Sequence, residues 1–363
     1  MLWGMMALAI AGVSLASLQL EAQQDSAPPA SRDTTFSTDV NVVNVFATVR
    51  DKQSKIVNNL AKDDFILSED GHPQVIRYFS QEADLPLTLG LLIDTSLSQR
   101  NVLDEEKDAS YRFLDQVLRP EKDQTFVIHF DHQTELLQDL TSSRTDLRKA
   151  LDAVRLPDDA RPQMRQAGQG SGGGYPNGNG GYGRQAGTTL YDAIFLASDE
   201  IMKKQHGRKA LILLTDGVDE GSKTSLYECI KTAQRSDTLV YSILFSDRPS
   251  TGQQALMTLG GMGGGMGRRG GNRGGPMNAE RPDGKKILQQ ISRETGGGFF
   301  EVSKKDSIED IYKTIQEELR NQFSLGYVSD QDPSGTSFRH ITLTVRKSGL
   351  IVQAPEGYYP AGK

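Results

Sequence analysis

Leu85-Pro86-Leu87-Thr88-Leu89-Gly90-Leu91-Leu92-Ile93-Asp94-Thr95-Ser96-Leu97-Ser98 is the stretch on which the fold turns. Leu87, Leu89, Leu91, Leu92 and Ile93 leave no polar face, as a strand buried on both sides in the middle of a parallel sheet requires. Polar chemistry begins abruptly at Asp94. Ligands of open parallel α/β sheets bind outside the carboxyl ends of the strands, which puts Asp94, Ser96 and Ser98 on one turn at that edge. One carboxylate and two hydroxyls are hard oxygen donors and suit a hard divalent cation. The same residue types also serve as helix N-caps.

Two further segments weigh against caps alone. Ala210 to Leu214 is a second buried strand and ends in Thr215-Asp216-Gly217, while Gly187-Thr188-Thr189 opens an apolar-periodic helix at Leu190. DxSxS, then GT, then a strand ending TDG resembles the metal-ion-dependent adhesion site of von Willebrand factor type A domains, in order and spacing, over roughly residues 85–322. The resemblance implies a doubly wound, mainly parallel sheet. It also implies that Ser96, Ser98 and Thr188 ligate the cation directly or through water, with Asp94 and Asp216 completing the set. Thr189 is the alternative to Thr188. Mg²⁺ fits six oxygens including waters, and Mn²⁺ substitutes for it.

The chain of 363 residues is long enough for a sizeable core and about two domains. Its net charge of −6 argues against a nucleic-acid protein, whose footprint is a basic patch. The single cysteine, Cys229, excludes an intrachain disulfide and reads as a small buried hydrophobe in a helix.

Residues 1–22 have an apolar core from Leu2 to Val13 and no charge before Glu21, and resemble a secretory signal cleaved near Ala22. An uncleaved N-terminal anchor is the alternative; otherwise no membrane span is expected. Residues 23–35 read as a polar linker. In residues 36–80, Val43, Val45, Ala47 and Val49 alternate with other residues. Phe65 and Leu67 alternate before the turn Glu69-Asp70-Gly71, and Val75, Arg77 and Phe79 alternate beyond it. Residues 323–359 alternate likewise at Phe323, Leu325 and Tyr327 and at Ile341, Leu343 and Val345. Three strands with one apolar face need a partner sheet, so both flanks are read as one β-sandwich-like domain with residues 84–322 inserted. The insertion is topologically cheap because closure entropy grows only logarithmically with loop length. This layout, with Asp64-Phe65 and Glu69-Asp70-Gly71 ahead of the metal-site strand and a terminal Gly357-Tyr358-Tyr359, resembles a bacterial secreted family of VWFA-related proteins.

Within 84–322, helical spacing at Ala109, Phe113, Leu114 and Val117 alternates with strands near Thr125–Phe130, Leu211 and Leu239–Phe245. That pattern specifies helices on both faces of the sheet. Two glycine-rich insertions, within 166–187 and 248–283, interrupt it and hold more than half of the 37 glycines. Such composition cannot bury enough surface to offset its ordering entropy. Both insertions are expected to emerge on the edge carrying Asp94.

The expected function is that of an exported, non-catalytic protein-binding module, secreted or in the periplasm or cell envelope. An open coordination position on the cation would accept an Asp or Glu carboxylate from a partner protein. A scaffold with a weak or vestigial metal site is the alternative, followed by a metal-dependent hydrolase using Asp94 as nucleophile or Asp219 and Glu220 as base. Neither GxSxG nor HExxH occurs, and neither glycine-rich insertion ends in GK[ST]. His129 and His132, flanking Asp131, read as loop polar groups rather than zinc ligands.

Overall fold

The computed structural model describes residues 42–81, 85–156, 187–245, 283–331 and 335–360. The expected signal and linker, and nearly all of both glycine-rich insertions, lie outside the described residues. In the first flank, β1 (Val42–Asp51) turns Val45, Ala47 and Val49 inward, and β2 (Phe65–Glu69) does the same with Phe65 and Leu67. Asp70 and Gly71, both at positive φ, turn β2 into β3 (His72–Gln74). The expected continuation through Val75 is corrected: Val75 is 75% exposed, and β4 (Ile76–Gln81) leaves that sheet for the other one, burying Ile76 instead.

The body that follows is built on β5 (Leu87–Asp94), in which every residue is buried. After it come α1 (Leu103–Val117), β6 (Gln124–Phe130), β7 (Thr134–Thr141), α2 (Arg144–Ala153) and α3 (Leu190–Leu196). Then follow β8 (Arg208–Thr215), α4 (Leu226–Arg235), β9 (Leu239–Leu244), α5 (Gly284–Thr295), β10 (Phe299–Glu301) and α6 (Ile308–Arg320). The sheet order is β10-β9-β8-β5-β6-β7, parallel throughout except for the antiparallel edge strand β7. Leu89, Leu91 and Ile93 pack with α1, α2 and α6 on one face, while Leu92, Phe126 and Ile128 pack with α3, α4 and α5 on the other. Gly90 is required in β5 because a Cβ there would run into the Phe126 ring and Leu211. Serine caps start α2, α4 and α6, where Ser143, Ser225 and Ser307 each accept from the amide three residues on. The mixed α/β body with both faces of its sheet covered is therefore as expected.

The last flank supplies β11 (Phe323–Val328), β12 (Arg339–Val345), β13 (Leu350–Gln353) and β14 (Gly357–Tyr358). The two flanks are interleaved strand by strand, in the orders β13-β1-β11-β4 and β14-β12-β2-β3. Both partners of β1 come from the far end of the chain. The sheets share one core, in which the Phe65 and Phe323 rings meet edge-on at 5.2 Å. A buried seam joins this sandwich to the body. Glu318 of α6 takes hydrogen bonds from Arg50 of β1 and from Gln353 of β13, and Gln353 also donates to the Gly296 carbonyl.

Candidate cation site at the carboxyl edge of the sheet

β5 is where the chain order of the sheet reverses: β6 lies on one side of it and β8 on the other. Ligand crevices of open α/β sheets form at such a switch point. The loops leaving β5 and β8 carry Asp94-Thr95-Ser96-Leu97-Ser98 and Asp216-Gly217. Gly217 has φ +79, and a Cβ there would meet the backbone of Gly284, so this turn can pass α5 only as glycine.

Asp94, the last residue of β5, is completely buried. Its Oδ1 accepts the Ser96 amide at 2.8 Å and its Oδ2 accepts the Thr215 hydroxyl at 2.6 Å. The Ser96 and Ser98 hydroxyls lie 2.8 Å apart. Asp216 accepts the Val218 amide at 3.0 Å. Burial, opposed by the Thr215 and Ser96 hydrogen bonds and reinforced by the Asp216 charge, pushes the Asp94 carboxyl up to about 6.

The two threonines differ. Thr189 is engaged by the loop after β6, with its hydroxyl donating to the Asp131 carbonyl at 3.1 Å and lying 3.0 Å from that of Thr134. Thr188 is 8% exposed, and its hydroxyl engages none of the described residues, while its carbonyl holds the amides of Glu220 and Gly221. Asp219, considered above as a base, is occupied as a loop brace by the Tyr191 amide and the Ser222 amide and hydroxyl. His129 is held between the Thr95 hydroxyl and Glu135, and His132 pairs with Asp131. Cys229 is buried, and burial pushes its thiol above the usual range.

The residues at this edge fit a divalent ion by donor type: two converging hydroxyls, a threonine hydroxyl that engages none of the described residues, and two carboxylates. They fit it loosely, because Asp94, Ser96, Ser98 and Asp216 already spend hydrogen bonds on one another or on their own loop. Among the described residues no group of three or more His, Cys, Asp or Glu could hold a metal. Two clefts run along the seam with the sandwich, the larger of about 580 Å³ beside Arg50, Arg293, Phe299 and Gln353, and neither includes a residue of the DTSLS loop. One buried acid on α1 was missed from the sequence. Glu106 of α1 feels the Asp94 charge, and its position three residues before Ala109 in an apolar stripe was the available signal.

The sign of the Asp94 shift gives a prediction. A carboxyl raised in the fold stabilises it fully below the unfolded value near 3.8 and loses that contribution as pH rises through about 6. A shift of about 2 pH units corresponds to about 3 kcal/mol. Asp94→Asn should therefore gain up to about 2–3 kcal/mol over the parent in metal-free buffer at pH 8 and nothing at pH 4. Chemical denaturation at the two pH values checks this, and an equal difference at both would contradict it.

No protein-family profile and no curated protein matches the chain. Among solved structures it is similar to proximal thread matrix protein 1 of the mussel byssus, at 16% identity and TM-score 0.44, covering 70% of this chain and 51% of that one. A further crystal structure of that mussel protein has a zinc-occupied MIDAS motif. It is also similar to BatB of Bacteroides thetaiotaomicron, at 17% identity and TM-score 0.40, covering 65% of this chain and 97% of that one. A von Willebrand factor type A protein of Catenulispora acidiphila gives 10% identity and TM-score 0.43, with 80% and 71% covered. The chain thus spans about half the length of the mussel protein. At such identities and scores the likeness carries neither ligand nor activity across.

Proposed function

We propose that the chain is a non-catalytic scaffold and interaction module with a weak divalent-cation site formed by Asp94, Ser96, Ser98, Thr188 and Asp216. The observation that carries it is the pairing of the Ser96 and Ser98 hydroxyls beside the Asp94 carboxylate, on which the Asp216 charge also acts. An entering ion must displace these internal hydrogen bonds, which keeps its affinity low. A non-catalytic role agrees with the structural engagement of Asp219, His129 and His132. Residues 36–80 with 323–359 are the scaffold domain and 84–322 the inserted one, in an exported chain.

The ion would be Mg²⁺ or Mn²⁺, since the donors are all hard oxygens. A second reading, capture of a partner's Asp or Glu by the bound ion, is favoured by the Thr188 hydroxyl, which engages none of the described residues, and by Leu97, 51% exposed between the two serines. No helix among the described residues is long and apolar enough to cross a membrane. At ten times its dissociation constant a ligand adds about 1.4 kcal/mol, or roughly 2 °C for a chain of this size. Millimolar Mn²⁺ should raise the unfolding midpoint of the parent by that much and leave a cooperatively folded Ser96→Ala/Ser98→Ala variant unmoved. A shift of equal size in the variant would remove the serines from the site. Capture of a carboxylate-bearing partner that depends on Mg²⁺ and survives in neither the variant nor chelator would raise the second reading above the first.

A further inference from the structure

α1 packs on the core through Leu103, Ala109, Phe113, Leu114 and Val117, and one carboxyl occupies that same stripe. Glu106 is fully buried, and neither of its carboxyl oxygens has a hydrogen-bond partner among the described residues. Ser110, one turn further on, is taken up by the Tyr312 hydroxyl of α6 at 2.7 Å. The charges acting on the Glu106 carboxyl are those of Asp94 and Glu105, both negative, so burial and its neighbours oppose its ionisation alike. α1 follows directly on the loop that carries Ser96 and Ser98, and Glu106 sits in its first turn, at the same end of the sheet as Asp94, whose charge acts on it.

An unpartnered buried carboxyl weakens a fold, and an apolar residue of similar shape would serve packing better. What would favour an acid here is positive charge at the edge, because in a low-dielectric interior charges act over several ångströms without contact. We propose that Glu106 is a positioning residue of the cation site, a third carboxyl behind Asp94 that holds the divalent ion by charge without ligating it. The inference rests on the weak-cation reading above.

Mn²⁺ binding to the full chain, measured by electron paramagnetic resonance beside metal-free unfolding, tests it. Glu106→Gln and Glu106→Leu should unfold without metal at the parent midpoint or above it, yet bind Mn²⁺ about tenfold more weakly, the usual loss when an outer-sphere group is removed. Loss of metal-free stability with unchanged Mn²⁺ affinity would make Glu106 merely structural and overturn the role. Should Glu106→Leu fail to fold, the isosteric Glu106→Gln carries the same two readouts. A parent chain that binds no Mn²⁺ overturns the cation reading and this role together, whereas parent binding that matches Glu106→Gln overturns this role alone.

Discussion

Arg339→Ala is expected to destabilise the sandwich by about 3–5 kcal/mol, the loss found when one partner of a buried ion pair is removed. Glu69 is completely buried at the end of β2 and Arg339 opens β12, with Nη1 3.2 Å from Glu69 Oε1. The Ser329 hydroxyl donates to Glu69 Oε1 at 2.6 Å and the Tyr327 hydroxyl to Oε2 at 2.5 Å. Arg339 Nη1 also reaches the Ser329 and Tyr358 hydroxyls. One carboxylate therefore ties β11, β12 and β14 of the last flank to β2 of the first. Without the guanidinium that charge stays in the core with hydroxyl donors alone. Replacing both residues together, as Glu69→Leu/Arg339→Met, should restore much of the loss, since a buried pair exchanged for apolar residues is often neutral. Urea denaturation of the three chains measures it, and a single variant as stable as the double would contradict it.

Arg50→Ala should act at the seam, and its effect should depend on pH. Glu318 is completely buried, and burial, opposed by Arg50 and the Gln353 hydrogen bond, pushes its carboxyl up to about 7. A raised carboxyl stabilises fully below its unfolded value near 4.5 and loses that contribution as pH rises through about 7. Removing Arg50 takes away the main opposing pull and raises the carboxyl further. The loss should be small at pH 5, where Glu318 is neutral in both proteins, and approach about 3 kcal/mol or more at pH 8. Equal losses at both pH values would show that Arg50 contributes packing rather than charge.

The body was legible because its strands are runs without a polar face: Leu89 to Ile93 and Leu211 to Leu214 admit no solvent-facing side, and both proved fully buried. The flanks were legible as strands but not as sheets. Alternation tells which side of β1 faces the core, yet its two partners, Val42 to Ala47 against β11 and Thr48 to Asp51 against β13, lie some three hundred residues away in sequence. Val75 misled because alternation ran on through the residue at which the chain changes sheets. At the site, Asp94, Ser96 and Ser98 could be placed from the sequence because a strand end fixes them. Thr188 and Thr189 could not be separated, since adjacent hydroxyls differ only in which way the backbone turns them, and the contact with Asp131 that occupies Thr189 is long-range. Glu106 escaped because a charged residue in a helix is ordinarily read as its solvent face.

Diffraction from crystals of the full chain soaked in Mn²⁺, collected at a wavelength where manganese scatters anomalously, tests the cation site most directly. One peak is predicted within ligand distance of the Ser96 and Ser98 hydroxyls, on the side facing Thr188 and Asp216, with the serines no longer bonded to each other. A peak at His129 or Asp131 instead, or none at this edge in tens of millimolar Mn²⁺, would contradict it.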